Sequence, residues 1–273
     1  MGRSFSNNRL IDKLLKGEYL QILNCVKNDD DLRFEMRIDN QAKVYYKKSL
    51  IMTLYPLRQP RLLATGYYNN KGLQAELILQ TPEFYFESAK KLVECHKSEV
   101  KKNIEFAIQQ KIAKDNNSIL NQFLVIDMEY QFAQAKVKSR TNDKTRFDLL
   151  ALDLKGKKII LLELKQGLGS LAGNAGVDDH FRRYQEHVLH PQFQSALKED
   201  VTGIIWSKAQ LGLCEYKVSD IGFQIDQAEI DYAYVFAAHS ESELIKYKQL
   251  FGLKYTTLYL DVNADKYILK DDI

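Results

Sequence analysis

Between Arg146 and Lys165 the chain reads Arg-Phe-Asp-Leu-Leu-Ala-Leu-Asp-Leu-Lys-Gly-Lys-Lys-Ile-Ile-Leu-Leu-Glu-Leu-Lys, two apolar runs separated by Lys155-Gly156. Runs this short, bounded by a turn signal, are expected as buried strands. If Lys155-Gly156 is a two-residue hairpin turn, with glycine supplying positive φ, then Leu154 faces Lys157 and the whole register follows. Asp148 lies across from Glu163, Leu150 from Leu161 and Leu152 from Ile159. Strand alternation brings Lys165 to the same face.

Opposed residues on neighbouring strands hold their Cβ atoms about 4.5–5.5 Å apart. Two carboxylates at that spacing, at the end of an apolar face, repel each other and lose solvation. Folding alone does not favour this. A divalent cation reverses the sign, because hard ions such as Mg²⁺ take carboxylate oxygens and waters. A lysine beside them can hold or help deprotonate a water and stabilise negative charge on a phosphate. The residue types therefore point to phosphodiester hydrolysis.

The pattern Asp148-x14-Glu163-x-Lys165, on a hairpin preceded by a helix and a strand and followed by a helix, resembles the PD-(D/E)XK nuclease superfamily. The resemblance covers about residues 84–237. It implies a restriction-endonuclease-like α-β-β-β-α-β core and a Mg²⁺- or Mn²⁺-dependent nuclease acting on nucleic acid, with DNA the expected substrate. It also implies Asp148, Glu163 and the Leu164 carbonyl as metal ligands and Lys165 as the catalytic lysine. A further glutamate from the first helix is common in the superfamily; Glu105 is the choice here, with Glu99 as rival. Phe147 stands where many members have proline. Some relatives place a glutamine or tyrosine on the second helix near substrate, a part open to Tyr184 and Gln185. The spacing recurs in Asp200-x14-Glu215-x-Lys217, which has no recognisable hairpin turn and is set aside.

Lys136, Lys138, Arg140, Lys144 and Arg146 form the densest basic stretch, just before the Asp148 strand. With Arg182 and Arg183 they are the candidates for contacts to a phosphate backbone. The glycines of 167–176 miss both G-x-G-x-x-G and the Walker spacing, so the expectation is either a mobile loop at the cleft mouth or a plain flexible connector. His180, His187 and His190 lack zinc-triad spacing and are read as solvated or hydrogen-bonded.

The rest of the chain supplies the frame. Hydrophobic residues make up 45% and charged residues 27%, enough for an ordinary core. The net charge of +3 neither demands nor excludes a nucleic-acid partner. Three widely spaced cysteines give no zinc or disulfide framework. No apolar run is long enough to span a bilayer, and no secretory segment opens the chain, so no membrane partner and an intracellular, cytoplasmic setting are expected. A short helix is expected over 8–17, and strands over 19–26, 32–38, 43–46 and 50–54. One long helix is expected over 84–114, and strands over 123–132, 146–154 and 158–165. A helix over 177–189 should kink or end at Pro191. Strands over 203–206, 232–237 and 255–260 and a helix over 241–250 complete the chain. The fold class is α+β (mixed α/β). A β-rich domain at 1–82, for recognition or dimerisation, precedes a nuclease-like domain at 83–273. A homodimer fits the superfamily's habit of pairing to cut two strands. The alternative is a catalytically inactive nuclease-fold subunit for nucleic-acid binding or assembly.

Overall fold

The computed structural model describes residues 9–37, 41–47, 49–62, 81–95, 104–131, 146–171, 176–188, 190–252 and 254–271. The fold is mixed α+β, with two sheets. Helices α1 (Arg9–Leu15) and α2 (Leu20–Lys27) precede an antiparallel sheet in the order β1 (Leu32–Arg37), β2 (Gln41–Tyr46), β3 (Ser49–Leu54), β4 (Arg61–Leu62). Residues 19–26 are thus mostly helical, not the expected strand. Ile22, Leu23 and Val26 are the buried positions, a spacing that makes one helical face. Tyrosine and branched residues, as in Tyr19, Ile22 and Val26, only weakly select strand over helix in so short a run.

The expected helix over 84–114 corresponds to α3 (Pro82–Cys95) and α4 (Ile104–Asp115), which serve different cores. Tyr85, Phe86, Ala89 and Val93 of α3 pack with α1, α2 and the first sheet. Ile108, Ile112 and Ala113 of α4 pack against the second sheet.

That second sheet has five strands in the order β5 (Phe123–Gln131), β6 (Arg146–Asp153), β7 (Lys158–Gln166), β8 (Glu229–Ala238), β9 (Thr257–Asp261). The β5–β6 and β6–β7 pairs are antiparallel; β7–β8 and β8–β9 are parallel. One face is covered by α4 and the chain around Tyr267 and Leu269. The other is covered by α5 (Val177–Val188), α6 (Pro191–Gln210) and Tyr247 of α7 (Glu241–Phe251). Pro191 opens α6 rather than merely ending α5, since a first-turn residue needs no N–H. Residues 203–206, expected as a strand, lie inside this helix. Leu197, Val201, Ile204 and Ile205 are buried at helical spacing, and tertiary packing of that stripe outweighs local strand propensity.

The β6–β7 register is the expected one from Leu149↔Leu162 to Asp153↔Lys158. The turn is wider than expected, taking residues 154–157, and its positive φ falls on Lys157 (57°) rather than Gly156. Asp153 Oδ1 accepts from the backbone N–H groups of Lys155 (3.0 Å) and Gly156 (2.9 Å). A Cβ at Gly156 would press on that carboxylate, which would have to shift and loosen its hold on the turn.

A buried charge cluster joins the first sheet to the β5 edge. Arg37 bonds Asp127 Oδ1 (2.6 Å), the Met128 carbonyl (2.7 Å) and the Tyr45 hydroxyl (3.1 Å). Lys208 Nζ donates to the Ile126 carbonyl (2.5 Å) and pairs with Glu35 Oε2 (2.6 Å), whose other oxygen takes Arg33 Nε (2.6 Å). These cations satisfy β5 carbonyls that an edge strand would otherwise expose. Among the described residues no helix is long and apolar enough to cross a membrane.

Candidate active site

The hydrogen-bonded β6–β7 ladder stops at Leu149↔Leu162, and Asp148 and Glu163 stand one step beyond it. On the other side of Asp148, the pairs Met128↔Leu149 and Tyr130↔Phe147 leave Glu129 facing it from β5. Three adjacent strands therefore carry Glu129, Asp148 and Glu163 in one row. The pleat slips at this row. Met128 and Leu149 belong to the α4 layer, whereas Tyr130 and Phe147 belong to the α5–α6 layer. The backbone cause is visible at Glu129, whose φ is +52°.

Asp148, Glu163 and Lys165 are almost wholly buried, at 7%, 5% and 5% exposure. Asp148 Oδ2 accepts the Leu164 N–H at 2.8 Å. Glu163 Oε1 accepts from Lys165 Nζ (3.1 Å) and is approached by His180 Nδ1 of α5 (2.6 Å). Burial pushes the Asp148 carboxyl well above the usual range; Glu163 and then Glu105 raise it further, against the Leu164 hydrogen bond. Glu105, in the first turn of α4, keeps an exposed surface yet titrates above its ordinary value. Partial desolvation is the main cause; Lys165 opposes it, and Glu163 and Glu129 add to it. Tyr232 of β8 closes the apolar side. Burial raises its phenol far above normal, and the fields of Glu163 and Asp148 contribute.

Of the sequence candidates, Asp148, Glu163 and Lys165 come together, Glu105 borders them, and the Leu164 backbone is tied into the site through its N–H. Arg146 is exposed at the rim, paired with Glu129 Oε2 at 2.7 Å. Arg182 is exposed on α5 and paired with Asp179 (2.7 Å) and Glu186 (2.9 Å). Tyr184 stacks on Tyr232 with centroids 4.4 Å apart, within an aromatic layer. Gln185 is exposed. Lys136, Lys138, Arg140, Lys144, Glu99 and the Arg183 and His187 side chains lie outside the described residues. The repeated spacing at Asp200 makes no second site: Asp200 is buried in α6, accepting from Tyr130 (2.8 Å), while Glu215 and Lys217 are exposed.

Two residues of the site escaped sequence reasoning. His180 is read from the sequence only as solvated or hydrogen-bonded, and its partner, Glu163, is not legible from spacing; its place three residues into α5 is the available signal. Glu129 had none, because its role depends on a strand pairing that no local motif announces.

Among the described residues no group of three or more His, Cys, Asp or Glu side chains forms a cation cage. Mg²⁺ does not need one, since it is commonly held by one or two carboxylates with waters and substrate phosphates making up the rest. A buried, mutually repelling pair of carboxylates fits that requirement. The class defined by fold and site is an α/β-layered domain with a buried carboxylate–lysine–histidine cluster at one end of its mixed sheet. No family model, curated protein or solved structure matches the chain.

Proposed function

We propose that the protein is a metal-dependent nuclease of the PD-(D/E)XK kind, hydrolysing phosphodiester bonds in nucleic acid, with DNA the expected substrate. The observation that carries this reading is the burial of Asp148 directly beside Glu163, with Lys165 in contact with Glu163. Buried like charges are a cost unless something else resolves them. The order α4, three antiparallel strands, α5 and a parallel β8 agrees with a restriction-endonuclease-like core, α6 being an addition between α5 and β8.

Asp148 and Glu163 would hold Mg²⁺ or Mn²⁺, with Glu105 near enough to take part through its field. A bound cation supplies Lewis-acid stabilisation of phosphate charge and a more acidic water. Lys165 holds the attacking water or its negative charge, and His180 and Lys165 orient Glu163. The water oxygen adds to phosphorus, the bond to the leaving oxygen breaks, and that oxygen ends protonated.

A second reading is a non-catalytic nucleic-acid-binding or assembly subunit of this fold. It draws on one observation: Glu163 Oε1 is already met by Lys165 and His180, an arrangement that can also neutralise a structural carboxylate.

Calorimetric titration with Mn²⁺, on the wild type and Glu163→Ala, separates the two when run beside incubations with supercoiled plasmid and single-stranded DNA. The nuclease reading expects metal binding and strand cleavage, both lost in the variant. Absence of metal binding by the wild type would overturn it.

A further inference from the structure

We propose that Glu129 is a positioning residue that aims Arg146 at a substrate phosphate beside Asp148 and Glu163. This rests on the nuclease reading and adds to it the way in which the substrate is held.

Glu129 stands across from Asp148, yet its circumstances differ. Asp148 takes a backbone N–H, whereas Glu129 is matched by a guanidinium, with Arg146 Nη1 at 2.7 Å from its Oε2. The pair is asymmetric. The Glu129 side chain is 14% exposed, and that of Arg146 is 59% exposed. One end is therefore anchored in the sheet while the other faces solvent at the rim. A guanidinium carries five N–H donors in a rigid fork, so one bond to Glu129 leaves donors for phosphate oxygens.

The backbone tells the same story. At φ +52°, Glu129 occupies a left-handed conformation that L-residues other than Asn and Asp visit rarely. Sheet formation alone gains nothing from a glutamate there. The strain persists because this conformation turns the side chain toward the rim at the point where the pleat slips. The carboxylate's remaining neighbours do not displace Arg146. Of the cations whose fields reach this carboxylate Arg146 acts most strongly, ahead of Lys43 and of Arg37, which is engaged by Asp127, the Met128 carbonyl and Tyr45.

The discriminating variant is Glu129→Asn, which tolerates positive φ but cannot hold a guanidinium by charge. Anisotropy with fluorescein-labelled duplex and single-stranded DNA, in EDTA across a salt series, reads binding without cleavage. The slope of log affinity against log salt should fall by about one, as for loss of a single phosphate contact. Arg146→Ala should give the same loss, and the double variant no more. Plasmid nicking in Mn²⁺ should show a raised KM with kcat little changed, and Tm should be unchanged or higher. A wild-type slope in Glu129→Asn beside a reduced slope in Arg146→Ala would overturn the inference. So would loss of Mn²⁺ binding, which would make Glu129 a ligand, or a Tm fall that accounts for the binding loss. If Glu129→Asn does not fold, Arg146→Lys decides, since it keeps the charge and loses the fork. A wild-type slope and KM in that variant would sink the idea. Wild-type protein that neither binds nor cuts nucleic acid would refute the nuclease reading itself, a different failure from any of these.

Discussion

His180 Nδ1 lies 2.6 Å from Glu163 Oε1, tying the first turns of α5 to the C-terminal end of β7. Lys165 Nζ reaches the same oxygen, so two donors from different elements set the orientation of one carboxylate. If Glu163 ligates a metal as proposed, the residues that orient it should contribute about 10–100-fold to metal affinity. His180→Ala is therefore expected to weaken Mn²⁺ binding by about tenfold or more, read by calorimetry. His180→Gln, which retains a donor, should recover part of it.

Asp148 supplies a pH prediction. Its carboxyl titrates well above the usual range in the folded protein, chiefly through burial and then Glu163. The folded state therefore holds this proton more tightly than the unfolded chain does. Its contribution favours folding while the group is protonated and is lost as pH rises from the ordinary carboxylate range through the raised value. Asp148→Asn should remove that loss and still accept the Leu164 N–H. In metal-free buffer at neutral pH its Tm should exceed that of the wild type by a few degrees, about 1–2 kcal/mol. The advantage should shrink in acid. Scanning calorimetry at several pH values reads both effects.

On the proposed nuclease reading, Lys165→Met separates holding the metal from chemistry. The two carboxylates and His180 remain, so Mn²⁺ binding should persist, weakened by about tenfold at most through the lost orientation of Glu163. Loss of a cation that stabilises developing phosphate charge should lower kcat by about 10²–10³-fold. Single-turnover cleavage of plasmid beside calorimetry distinguishes this from a loss of metal.

Lys208 tests the junction between the two sheets. It is buried between Glu35 and the Ile126 carbonyl, and Glu35 is wholly buried. Lys208→Met removes one of the two cations paired with the buried Glu35 carboxylate, leaving Arg33, and should cost about 3–5 kcal/mol in urea unfolding. Adding Glu35→Gln should return part of that loss.

The β6–β7 hairpin was legible because its signal is local and strong. Two apolar runs at strand length, with a single turn between them, admit one register in which their apolar faces coincide. The placement of Asp148, Glu163 and Lys165 follows from it. The helix expected over 241–250 is found at Glu241–Phe251. Segments 19–26 and 203–206 were read as strands because short branched-rich runs do not distinguish helix from strand. Their state was decided by the faces they bury, against α1 and β1–β3 in one case and against the second sheet in the other.

The sequence by itself determined the chemistry available at the site: two acids, a lysine and a turn that sets them opposite one another. Only the tertiary structure decided what surrounds them. His180 arrives from a helix beyond the glycine-rich loop, Glu105 from a helix before the sheet, and Glu129 from a strand whose pairing is non-local. The field on Asp148 is likewise a sum over groups distant in sequence, at a depth of burial that the chain order does not encode. Hairpin register is a matter of counting along the backbone, whereas electrostatics and orientation depend on distances in space, and those exist only once the layers have packed.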